Sequence, residues 1–112
     1  MLISGINSCT SCILHNPEKI IEIFINIEKK SYFSELIEQN KLNNKTRLLK
    51  KNDFSRLGIK NDRFFNDIVI RREKYKPFNL EDILKNNEKS LIVVADQITD
   101  QNNLGNIIRT AL

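Results

Sequence analysis

The octapeptide Ile20-Ile-Glu-Ile-Phe-Ile-Asn-Ile27 constrains the fold more than any other part of the chain. The segment alternates at its centre, and β-branched isoleucine dominates it. That period of two predicts a strand. Its neighbours follow a different pattern. Ile3 to Leu14 reads as a helix after a short lead-in and is broken at Asn16-Pro17. Ser31 to Gln39 puts Tyr32, Phe33, Leu36 and Ile37 on one helical face, with Ser31 as the candidate cap and Glu35 in the first turn.

The same alternation continues. Thr46 to Leu49 is a short strand candidate. Asp53 suits the cap of a one-turn helix, Phe54 to Leu57, which Gly58 stops. Asp67 to Arg72 is a further strand, and Lys74 to Pro77 is a linker. Asn79 can cap Leu80 to Lys85, with Asn86-Asn87 ending that helix. Leu91 to Ala95 is the most apolar strand candidate and leads into a terminal helix. Strands alternating with helices predict α/β layers around a substantially parallel sheet.

A chain of 112 residues, 40% of them hydrophobic, suits one compact domain and leaves no room for a second complete one. The boundaries expected are a small domain over 1–73, a linker and short helix over 74–89, and the start of another domain over 90–112. One strand-helix pair cannot bury both its faces, so the second domain is expected to be cut short. No apolar run approaches the ~18 residues of a membrane span. The N-terminus lacks the basic opening of a secretion signal. A cytoplasmic location is the default expectation. The net charge of +4 permits weak attraction to nucleic acid without requiring it.

Cys9 and Cys12 form a Cys-x-x-Cys pair, a spacing found in redox sites and in half of a zinc site. A structural zinc needs four ligands, and only His15 stands nearby. Both are therefore expected as small apolar residues facing a core, with no metal. His15 is expected to be structural or exposed.

The tail, Asp96-x-x-Thr-Asp-x-x-Asn103-x-Gly-x-x-x-Arg-Thr-Ala, resembles the first signature of the SpoU (TrmH) RNA ribose methyltransferases. Order and length over the N-terminal part, beginning at Gly5-Ile6, are similar to the substrate-binding domain of the branch that modifies ribosomal RNA. The resemblance implies a small layered substrate-binding domain, followed by the first strand-helix unit of a knotted SPOUT-type α/β domain. The implied activity is methyl transfer from S-adenosylmethionine to a ribose 2′-hydroxyl, with ribosomal RNA as the implied partner. The family dimerises through its catalytic domain, so a homodimer is expected only for a full-length form. Its cofactor signatures would follow Leu112, and the chain alone is expected to be inactive. Three departures stand out. Asn7 replaces a histidine, Phe65-Asn66-Asp67 replaces His-Gln-Gly, and Gln101 replaces a proline. Asp67 opposes phosphate, which argues against RNA contact at that loop.

By the same resemblance, Asn103 and Arg109 are the catalytic residues. Gly105 lies four residues before Arg109 and shares its helix face, leaving room for RNA backbone to approach. Arg109 presents a rigid fork of donors and stays protonated, so its implied role is to polarise the hydroxyl. Asn103 would orient Arg109 or the hydroxyl. Taken without the family, Asn102 or Asn103 is a helix cap and Arg109 a solvated charge. Asp96 and Asp100 read as turn-forming and capping residues. Two basic clusters offer further RNA contacts: Lys45, Arg47, Lys50 and Lys51, and Arg71, Arg72, Lys74 and Lys76. Tyr75 and Phe78 flank the second and suit base stacking. The alternative for both clusters is a solvated strand edge. The alternative function is a non-enzymatic RNA-binding module or the remnant of a decayed gene.

Overall fold

The computed structural model describes residues 1–58, 67–85 and 91–111. The chain divides into two compact units, Met1–Tyr75 and Lys76–Leu112.

The first unit is built on a four-stranded sheet. Its strands are β1 (Leu2–Ser4), β2 (Ile20–Asn26), β3 (Thr46–Leu49) and β4 (Ile68–Arg72), in the order β1-β4-β2-β3. Two helices, α1 (Ile6–His15) and α2 (Lys30–Gln39), connect β1 to β2 and β2 to β3. The sheet is mixed. β2 and β3 pair in parallel, whereas β4 runs antiparallel to both β1 and β2. The expectation of a substantially parallel sheet is corrected accordingly. Helical crossovers do give β1, β2 and β3 a common direction, but β4 enters between β1 and β2 the other way.

The pleat of β2 separates two apolar clusters. On one face Ile23 and Ile25 join Ile68 and Ile70 of β4 beneath Cys9, Cys12 and Ile13 of α1 and Phe33 and Ile37 of α2. The spacings of these helical residues are three and four, which keeps each set on one side of its helix. Both cysteines are free and buried in this core, as expected of small apolar residues on the first helix. On the other face Phe24 and Val69 pack against Phe54, with Leu49 and Leu57 at the margin. Buried clusters of this size supply most of the stabilisation, roughly 1.5–3 kcal/mol for each large side chain removed from water.

Local chemistry sets the ends of the elements. Gly5 has φ 91°, a conformation open to glycine, and turns the chain from β1 into α1. Asn26 is buried; its side-chain oxygen accepts the Glu28 N–H at 3.1 Å and starts a 3-10 turn, Ile27–Lys29. That turn runs straight into α2, so the helix begins at Lys30 and Ser31 is not its cap. Tyr32 is exposed and meets Phe33 edge-on, so the buried face of α2 excludes it. Ile3, in the lead-in expected before the first helix, lies in β1, a three-residue edge strand that forms by pairing with distant β4. Lys51–Leu57 is a 3-10 helix that contains Asp53 and ends at Gly58 in the left-handed conformation. Phe65, Asn66 and the Asn86-Asn87 helix end lie outside the described residues.

The second unit carries α3 (Leu80–Lys85) and α4 (Gln101–Ala111). The Asn79 carbonyl accepts the N–H groups of Asp82 and Ile83, placing Asn79 at the start of α3. Leu91 to Ala95 is irregular, which corrects the strand expected there. A strand needs a hydrogen-bonded neighbour, and none pairs with this segment among the described residues. Among the described residues, no helix is long and apolar enough to cross a membrane.

Candidate functional site

The signature residues fall on α4 and on the turn before it. Asp100 caps the helix. Its side-chain oxygen accepts the Asn102 N–H at 2.8 Å, and its carbonyl accepts that of Leu104. Asn102 and Asn103 therefore sit inside the first turn, and neither is the cap. Gly105 and Arg109 are one turn apart on the helix. Arg109 is exposed and donates to the Asn106 side-chain oxygen at 3.2 Å. Asn106 was not singled out from sequence; its position three residues before an arginine on a helix is the signal that marks it.

Gly105 has no packing reason to be glycine among the described residues. A Cβ built there meets nothing within 4 Å. A glycine in a helix interior costs about 1 kcal/mol relative to alanine. The bare backbone of α4 beside Arg109 is thus open to whatever approaches from outside.

On the other side of α4, Leu91 and Val93 form a groove with Asn106, Ile107, Thr110 and Ala111. Its two polar side chains are engaged: Asn106 accepts from Arg109, and the Thr110 hydroxyl donates to the Asn106 carbonyl at 2.9 Å. Among the described residues no charged side chain lines it to meet the carboxylate or ammonium of S-adenosylmethionine. The groove does not fit that cofactor.

The basic clusters divide by sheet face. Arg71 points to the Phe24 side of the sheet, where a guanidinium nitrogen lies 3.0 Å from Glu22 Oε2 and its carbon lies 5.6 Å from the Phe24 ring centroid. Arg47 reaches the same carboxylate from β3, its Nε 2.8 Å from Oε1. Arg72 points the other way, to the helix face, and its guanidinium stands beside the Cys12 thiol. The Arg72 Nε is buried without a hydrogen-bond partner among the described residues. Lys45 is turned inward, donating to the Ile20 carbonyl at 2.6 Å. Lys74 and Lys76 are exposed, as are Tyr75 and Phe78.

Burial pushes the Cys9 thiol up to about 12, reinforced by Cys12. Burial also raises the Cys12 thiol, opposed by the Arg72 guanidinium. Both are held neutral, which suits packing and not nucleophilic or redox chemistry. Among the described residues no group of three metal-ligating side chains comes together.

The chain is similar to a ribosomal RNA methyltransferase. Over 97% of its length it is 29% identical to the 23S rRNA (guanosine-2′-O-)-methyltransferase RlmB of Haemophilus influenzae, a SpoU-family enzyme. The chain spans 46% of that relative's length. No family model matches the chain, and no solved structure matches it significantly.

Proposed function

We propose that this chain is the N-terminal part of a SpoU-type methyltransferase that transfers a methyl group from S-adenosylmethionine to a ribose 2′-hydroxyl of ribosomal RNA in the cytoplasm. The observation that carries this reading is the similarity to RlmB across nearly the whole chain, together with Asn103, Gly105 and Arg109 on one helix behind an aspartate-capped turn. Met1–Tyr75 is the part that binds RNA, and α4 is the first wall of the catalytic site. Arg109 contacts the ribose. It polarises the 2′-hydroxyl as a fixed cation, since a guanidinium does not give up its proton at neutral pH. Asn106 holds the guanidinium from one side, and Asn103 in the first turn faces the substrate. Gly105 leaves space for the RNA backbone. The cofactor is held by the remainder of the protein, and that remainder also forms the homodimer.

The test joins residues 1–112 to the part of the Haemophilus influenzae enzyme that the chain does not match, in place of the part that it does match. Methyl transfer from labelled S-adenosylmethionine to 23S rRNA is then measured. Residues 1–112 alone are expected to be inactive, the fusion active, and the fusion carrying Arg109→Ala inactive. A folded fusion whose activity is indifferent to Arg109→Ala would sink the assignment.

A second reading is favoured by one observation. Met1–Tyr75 has its own core and its own basic residues, so RNA binding without catalysis is within its means. Salt-dependent RNA binding by a chain whose fusion never methylates would select it.

A further inference from the structure

The sheet face opposite α1 and α2 carries an arrangement that neither the signature nor the similarity assigns. Its lower part is apolar, with Phe24 and Val69 covered by Phe54. Its upper part is polar and open. Glu22 lies on the central strand β2, flanked by Arg47 on β3 and Arg71 on β4. Each carboxylate oxygen takes one arginine, at 2.8 Å and 3.0 Å. The Glu22 side chain is 17% exposed, whereas those of Arg47 and Arg71 are 70% and 48% exposed.

Two guanidinium groups brought to one spot repel each other, and Glu22 offsets that repulsion. It does not neutralise the trio, which remains net positive. Nor does it consume the donors. A guanidinium has five N–H groups, and the carboxylate engages one edge of each. Arg71 is also set against the Phe24 ring, which limits the rotation that an exposed arginine otherwise keeps. The outcome is a pair of forks, pre-oriented on a three-strand surface, with donors left unengaged among the described residues. Phosphate oxygens are the ligand this geometry suits, because they accept bidentate donation from guanidinium. Surface ion pairs add little to stability, so folding gives weak reason for the arrangement.

We propose that Arg47 and Arg71, held by Glu22, form the RNA-phosphate contact of the N-terminal unit. The proposal rests on the RNA-binding reading above and narrows it. The contact lies on the Phe24 face of the sheet; Arg72, adjacent in sequence to Arg71, takes no part because the pleat turns it toward Cys12.

The experiment is a filter-binding titration of the 112-residue chain against a 23S rRNA transcript over a range of salt. The slope of log affinity against log salt reports phosphate contacts, about 0.7 for each contact to single-stranded RNA. Arg47→Gln with Arg71→Gln is expected to lower the slope by ~1.4. Arg47→Gln alone, on the edge strand, is expected to lower it by about half of that. Lys29→Gln with Lys30→Gln removes equal charge at the start of α2 and is expected to leave the slope unchanged. If the arginine double variant matches the lysine control while the parent chain binds, this site is wrong and RNA binding stands. If the parent chain shows no salt-dependent binding, the site and the binding role of this unit both fail.

Discussion

Arg109 donates to the Asn106 side-chain oxygen at 3.2 Å, a contact made entirely within α4. It needs no other element, so the guanidinium is oriented before any substrate or partner arrives. A hydrogen bond to a charged group contributes roughly 1.5–3 kcal/mol. Under the methyltransferase reading, Asn106→Ala in the fusion protein is expected to lower the turnover rate about tenfold or more, with substrate affinity little changed. Arg109→Lys keeps the charge but loses the fork, and is expected to cost on the order of a hundredfold in rate. Rates of single turnover on 23S rRNA measure both. Equal loss of affinity and rate in Asn106→Ala would contradict the orienting role.

Gly105 yields a prediction with opposite signs for stability and function. Nothing lies within 4 Å of a Cβ placed there, so alanine adds no clash. Gly105→Ala is expected to raise the helicity of α4 and to stabilise it by about 1 kcal/mol. If RNA backbone approaches at this point, the same change weakens methyl transfer in the fusion protein. A more helical variant with undiminished activity would remove the close-approach role.

The thiols give a pH dependence. Cys9 is fully buried and its pKa rises from 9.0 to about 12 in the folded chain. The folded state therefore binds the proton more tightly than the unfolded state does. The stability this confers is complete below about pH 9 and is lost as pH rises toward 12. Between about pH 8 and about pH 10.5 the parent chain is expected to lose ~2 kcal/mol more than Cys9→Ala, by urea unfolding. At neutral pH both cysteines should resist alkylation until urea unfolds the chain, with Cys12, slightly more exposed and next to Arg72, reacting ahead of Cys9. Rapid alkylation of native Cys9 would mean that it is not in the core.

Where a segment's own period decides its structure, the residues announce it. Isoleucine alternation marks β2, Phe33 and Ile37 mark the inner face of α2, and Gly58 marks a left-handed stop. Partners distant in the chain decide the rest. Ile3 is in a strand because β4 lies beside it, and Leu91 to Ala95 is irregular because no described strand does. The direction of β4 is a property of the route taken after β3, which no local pattern encodes. The site divides the same way. The spacing of Gly105 and Arg109 puts them one turn apart on a helix wherever that helix lies. Arg71 and Arg72 read as one basic cluster, yet a strand sends neighbours to opposite faces, and only one reaches the Phe24 side. Glu22 had a visible signal, a carboxylate amid isoleucines, whose meaning needed Arg47 and Arg71 beside it.

The apolar surface of the second unit leads to an expectation about behaviour in solution. Leu91 is 95% exposed and Val94 83%, and Leu104, Ile107 and Ile108 of α4 are exposed as well. Apolar side chains left in water at this density favour burial against another surface, at roughly 25 cal/mol per Å² covered. Residues 1–112 alone are therefore expected to self-associate as concentration rises, seen as a growing sedimentation coefficient. Leu91→Lys with Val94→Lys places charges on this surface and is expected to shift the equilibrium toward monomer, without altering the thermal stability of Met1–Tyr75. Under the methyltransferase reading the remainder of the protein covers this surface, so in the fusion with the remainder of the Haemophilus influenzae enzyme the same two substitutions are expected to destabilise. Monodisperse monomer at high concentration, in the unsubstituted 112-residue chain, would show that this surface needs no cover.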